Sequence, residues 1–159
     1  MNPNPEIQRI LDERIAQIPH VLGAVVVTED GIHRYLSGWP AQDFPAQTAQ
    51  DAANARQAFG EHLSALASGM AGLAGQQAQK QQGGAVTRTV VEMEDGWSVT
   101  ARAGQYCVIA LQAKAQAHLG TLGYAVTHLA NDLGDMLDVD RRELALAQAE
   151  VAPAGQQPG

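Results

Sequence analysis

His20, His33, His62, His118 and His128 are the side chains best suited to metal or proton chemistry, and they are dispersed along the chain. A helical zinc site needs two ligands one turn apart, as in H-E-x-x-H, and the Glu61-His62 pair lacks the second histidine. Asp132, Asp135, Asp138 and Asp140 form an acidic series, but without the central Gly and distal bidentate Glu of a calcium loop, so a solvated helix end is expected. No G-x-x-x-x-G-K-[ST] phosphate loop is present, and Gly69, Gly72 and Gly75 lie three apart in a helical pattern rather than on a strand-to-helix turn. Ser68 sits mid-helix, where a hydroxyl usually bonds a backbone carbonyl, whereas a nucleophile wants a base within reach. Cys107 stands alone in an apolar run with no His or Lys beside it, which marks a buried core thiol. The residues therefore point to a noncatalytic chain that uses neither metal nor cofactor.

The most informative stretch is instead Leu63 to Gly75, LSALASGMAGLAG. At about 100° per residue, Leu63, Leu66, Met70 and Leu73 fall on one side of a helix, and Ala65, Ser68, Gly69, Gly72 and Gln76 gather on roughly the opposite side. The leucine stripe is expected to cover a sheet. The other stripe is too small to fill a core, and Gly inside a helix costs about 1 kcal/mol against Ala. A closely approaching backbone explains it, most simply the same helix of a second copy. Compositional drift toward Ala and Gly is the competing explanation.

A chain of 159 residues suits one domain with its own core. Its 45% hydrophobic and 17% charged content excludes disorder, and with only 4% aromatics the core must be built from Ala, Val, Leu and Ile. A net charge of −7 with scattered basic residues argues against nucleic acid, which demands a concentrated positive surface. The opening MNPNPEIQRILDERI does not read as a secretory signal, and no stretch approaches the ~20 apolar residues of a membrane span. A cytoplasmic protein without membrane insertion is expected.

These surfaces need elements to hold them. Asn4-Pro5 reads as a cap followed by Pro at the first helical position, opening a helix over about Pro5 to Ile18. Val21 to Thr28 reads as a central strand, and Glu29-Asp30-Gly31 turns it into a partner over Ile32 to Ser37. After a loop, Thr48 to Phe59 leads into the main helix with Gly60 as a joint, and the main helix runs to about Gln81. Strands follow at Ala85 to Glu94, Trp97 to Ala103 and Gln105 to Leu111. The first is polar enough to be an edge, and an edge must be protected or used. Its use by pairing with its own copy assigns Val86, Arg88 and Val90, with Ala65, Ser68, Gly69, Gly72 and Gln76, to a dimer interface. A last helix follows Leu119, Leu122, Val126, Leu129, Leu133 and Leu137 and breaks at Asp138 to Asp140, where Asp140 and Glu143 resemble a capping box for a short further helix. Residues 5–138 are thus one domain, and residues 139–159 a short C-terminal helix and a disordered tail. The order predicts an α/β (α+β) sandwich, α-β-β-α-β-β-β-α: a five-stranded antiparallel sheet with two helices on one face and the central helix on the other.

The TEDG hairpin, LASGMAGLAG, VVEMEDGWSVTARAG and LGTLGYAVTHLANDLGDML together resemble the bacterial, actinobacterial-type branch of the roadblock/dynein light chain superfamily, over about Ile7 to Leu137. The ASG-x-x-x-LA helix paired with VVEM-x-x-G is the specific part. The resemblance implies a profilin-like roadblock fold and a homodimer joined through central helices and edge strands. It also implies a noncatalytic regulator or scaffold that binds a Ras-like small GTPase, with a sensor histidine kinase as a further partner. On that implication Arg56, Trp39 and His62 are expected at the partner surface, and Arg56 or Arg88 is the first choice for an arginine offered to the GTPase. The segment from Trp39 to Gly60 is longer than the family usually shows. An adaptor that leaves hydrolysis unchanged and a small-molecule sensor domain remain the alternative readings.

Overall fold

The computed structural model describes residues 3–151. Helix α1 spans Pro5–Gln17, with the Asn4 side chain accepting from the Glu6 N–H, and it turns Ile7, Leu11 and Ile15 inward. Strands β1 (Val21–Thr28) and β2 (His33–Gly38) follow, then helix α2 over Ala49–Gln81. Strands β3 (Thr89–Met93), β4 (Gly96–Ala103) and β5 (Cys107–Lys114) precede helix α3, Leu119–Val151. The described residues form an antiparallel sheet in the order β2-β1-β5-β4-β3, so the strand apolar on both faces, β5, is central and β3 is an edge, as its sequence requires.

Alternation along the strands divides the core in two. Ala24, Val26, Ile109 and Leu111 meet Ile7 and Leu11 of α1 and Leu122, Val126, Leu129 and Leu133 of α3. The opposite face carries Val25, Val27, Leu36, Val108 and Ala110, which α2 covers with buried Ala67 and with Leu63 and Ala71 packed beside it. The expected sandwich is therefore present, with two helices on one face and the central helix on the other.

Several local expectations are corrected. Gly60 is no joint: α2 runs through it unbroken, and Gly is needed there because a Cβ would lie 3.0 Å from Leu36 Cδ2 and 3.1 Å from His33 Cε1. Strand β3 is shorter than Ala85 to Glu94, so Val86 and Arg88 precede it. The expected break at Asp138 to Asp140 is absent, and α3 continues to Val151 because both aspartates have tertiary partners. Asp138 accepts from the Gln105 N–H at 2.8 Å, closing the β4–β5 turn, and Asp140 is buried against Arg34 of β2. The expected tail after Val151 lies outside the described residues.

Candidate interaction surface

The largest correction concerns which side of α2 meets the sheet. Gly60, Ser64 and Ala67 are buried against it, and Leu63, on the sheet side as expected, packs beside them with Ala71. Leu66 and Leu73 face outward, 62% and 66% exposed. Small residues win the sheet side because they let the helix settle close to β1 and β2. A leucine fully buried contributes about 1.5–3 kcal/mol, so a helix that leaves two of them in water forgoes more than Ala67 returns.

The small residues expected at an interface share that outer surface. Ala65, Gly69, Gly72 and Gln76 are exposed, and a Cβ on Gly69 or Gly72 would meet nothing within 4 Å among the described residues. Leu66 and Leu73 thus border a shallow, side-chain-free strip of helix. Ser68 lies toward the sheet margin, where its hydroxyl donates to the Glu29 carbonyl at 3.0 Å. Beyond the margin, a groove of about 340 Å³ lined by Ala71, Gly75, Ala78, Val86 and Thr89 leads from α2 to β3. Val90 on that edge is 42% exposed, and Arg88 is exposed with its guanidinium resting over Gly123 of α3.

The other edge of the sheet is occupied. Leu36 O accepts from Gln8 Nε2 at 3.0 Å and from Arg56 Nη2 at 3.5 Å, and Arg56 also donates to Gly38 O at 3.0 Å and to Trp39 O at 2.7 Å. The Arg56 guanidinium is thereby spent on backbone carbonyls. Trp39 packs edge-on to Phe59 at 5.0 Å, and Phe59 to Phe44 at 5.5 Å, tying the loop after β2 to the first turns of α2. His62 is exposed on α2. Of the residues expected at a partner surface, Trp39 and Arg56 come together at the β2 edge and His62 does not join them.

Sequence reasoning missed a pair that fixes α2 to the sheet. His33 Nδ1 lies 2.6 Å from the hydroxyl of Ser64, which is fully buried. Burial pushes the imidazole below the usual histidine value of 6.5, the Arg34 and Arg56 charges push it the same way, and Glu61 opposes them. Neutral His33 is the form that the fold favours. Its contribution to stability is complete above pH 6.5 and is lost as the pH falls through the lower value of the folded state. Urea unfolding at about pH 7.5 and about pH 5 is expected to show this loss, and His33→Gln to reduce it. An identical pH dependence in the variant would remove His33 from the account.

Nothing at these surfaces assembles an ion site: among the described residues no group of His, Cys, Asp or Glu is placed to hold a metal. Burial raises the Cys107 thiol to about 11. No helix of the described residues is long and apolar enough to cross a membrane.

Residues 49–113 match the family model of the Roadblock/LC7 domain. No curated protein matches the chain. Among solved structures, it is similar to a Roadblock/LC7 domain from Streptomyces avermitilis at 23% identity and a TM-score of 0.67, covering 82% of this chain and 96% of that one. MglB from Myxococcus xanthus matches at 12% identity and a TM-score of 0.66, covering 85% and 90%. The gliding protein MglB from Thermus thermophilus matches at 15% identity and 0.66, covering 84% and 89%. At these identities the likeness is one of fold.

Proposed function

We propose that this chain, whose residues 49–113 match the Roadblock/LC7 domain model, is a noncatalytic, homodimeric cytoplasmic regulator of that family that binds a Ras-like small GTPase. The observation that carries the reading is the outward side of α2. A 33-residue helix that points Leu66 and Leu73 at solvent beside bare Gly69 and Gly72 is built to be covered by something apolar and closely fitting. A second copy of α2 satisfies both demands, and Ala65, Gly69, Gly72 and Gln76 are its contacts. Two copies side by side present a platform that one copy lacks. A Ras-like protein seated there would have its switch loops held, and ordering of the water and phosphate environment is most of what GTP hydrolysis requires. Trp39 and His62 remain the proposed partner contacts. Arg56 is engaged with backbone carbonyls and Arg88 rests over Gly123 of α3, so either arginine would have to leave those contacts to reach a bound GTPase.

Purified protein mixed with a Ras-like GTPase from the same source tests this directly. Binding in one nucleotide state and altered phosphate release are expected. Absence of binding in both the GDP and GTP states would sink the proposal. Clear binding with unchanged turnover would make the chain an adaptor.

A further inference from the structure

We infer that the groove between α1 and α3, on the face of the sheet opposite α2, is a second docking surface, fitted to an acidic peptide segment of another protein that inserts one apolar side chain. The groove holds about 300 Å³ and lies where the end of α1 meets the first turns of α3. Its apolar walls are Ile18, Pro19, Tyr124 and Leu129. Leu129 is part of the buried core and Ile18 packs against that core, so the fold fixes this part of the groove. Tyr124 lines the groove without filling it: it is 66% exposed, and its ring rests on that of His128 with centroids 4.1 Å apart. The space is at the small end of ligand sites, which suits one inserted side chain.

Charge selects the rest of the occupant. Arg14 and His128 line the groove together with no carboxylate, on a chain whose net charge is −7. Arg14 Nη2 donates to Asp132 Oδ2 at 2.5 Å, an ion pair whose side chains are 46% and 40% exposed. A pair so open to water is worth about 0–1 kcal/mol and uses only part of the guanidinium fork, so the other N–H donors are able to take a second carboxylate in charge-assisted hydrogen bonds. An arginine beside an accessible tyrosine is also the combination on which binding energy concentrates at protein interfaces. An acidic segment therefore finds both a charge partner and an apolar anchor point, whereas a basic one meets only like charge. The outward side of α2 belongs to the other face of the sheet, so a dimer joined through α2 leaves each copy of this groove open.

The test titrates the full chain with a short peptide in which one Trp is flanked by glutamates, followed by amide chemical shifts and by fluorescence. Controls replace the glutamates by lysines, or the Trp by Ala. The glutamate peptide is expected to bind about tenfold or more tightly than either control, to shift the amides of Thr121 to Leu129, and to weaken as salt is added. Tyr124→Ala and Arg14→Glu should each weaken it about tenfold. The double variant Arg14→Glu, His128→Glu should reverse the preference toward the lysine peptide, a gain that an unfolded protein cannot show. Failure of the glutamate peptide to saturate the wild type, equal binding of the lysine peptide, or full affinity in Tyr124→Ala overturns the inference. So do amide shifts confined to α2. A loss of wild-type self-association in Tyr124→Ala would show that a second copy covers the groove, and overturns it as well. No GTPase enters the experiment, so its failure leaves the proposed function standing.

Discussion

Asp140→Asn is expected to lower the unfolding free energy by about 3–5 kcal/mol, the usual cost of leaving a buried charge without its partner. Arg34 on β2 donates from Nε and Nη2 to Asp140 Oδ2 at 3.2 and 2.7 Å, and the side chains are only 7% and 4% exposed. A guanidinium cannot shed its proton, so the neutral amide strands a positive charge between the sheet edge and α3. At about 2–4 °C per kcal/mol for a chain of this size, the melting temperature should fall by roughly 10 °C. Urea melts at neutral pH measure the loss. The double variant Arg34→Met, Asp140→Leu should recover most of it, because an apolar pair replaces buried ions at little net cost. Asp140→Asn within about 1 kcal/mol of wild type would mean that water reaches the pair.

Gly72→Leu is expected to act in two opposite directions. In the single subunit the new side chain meets nothing within 4 Å at its Cβ, and replacing Gly inside a helix removes a penalty of about 1 kcal/mol, so the monomer should unfold slightly later. In a dimer built on α2, the same leucine props the two helices apart. Overpacking costs about 1–3 kcal/mol per site and the two-fold counts it twice, which raises the dissociation constant roughly 30-fold or more. Gly69→Leu should behave alike. Sedimentation equilibrium together with thermal unfolding separates the two effects. A Gly72→Leu protein that is more stable yet as strongly dimeric as wild type would place the interface elsewhere.

Elements with strong periodicity or clear punctuation were legible in the sequence. Asn4-Pro5 and Pro19 delimit α1, the Leu122 to Leu137 spacing specifies the inward face of α3 while Leu119 at its start is exposed, and apolar runs on both faces place β1 and β5 inside the sheet. Misreadings arose where a long-range contact overrode the local pattern. Leu66 and Leu73 looked like the sheet side because apolar residues ordinarily face the core, whereas close approach selected Gly60, Ser64 and Ala67. Asp140 looked like a cap because nothing in its neighbourhood reveals Arg34, 106 residues earlier. Likewise His33 and Ser64 lie 31 residues apart and carry no shared motif. The exposed strip with Gly69 and Gly72 was visible as a pattern, but its bordering leucines were assigned to the wrong neighbour.

The side chains laid along β2 have a consequence for growth. Gln8 and Arg56 have claimed carbonyls that a further strand would require, so lengthening of the sheet is possible at one border only. A ribbon with two open borders would polymerise; a ribbon with one terminates once that border is matched. By this route a pair of chains is the end of the series, and any larger assembly has to be built from helix surfaces instead.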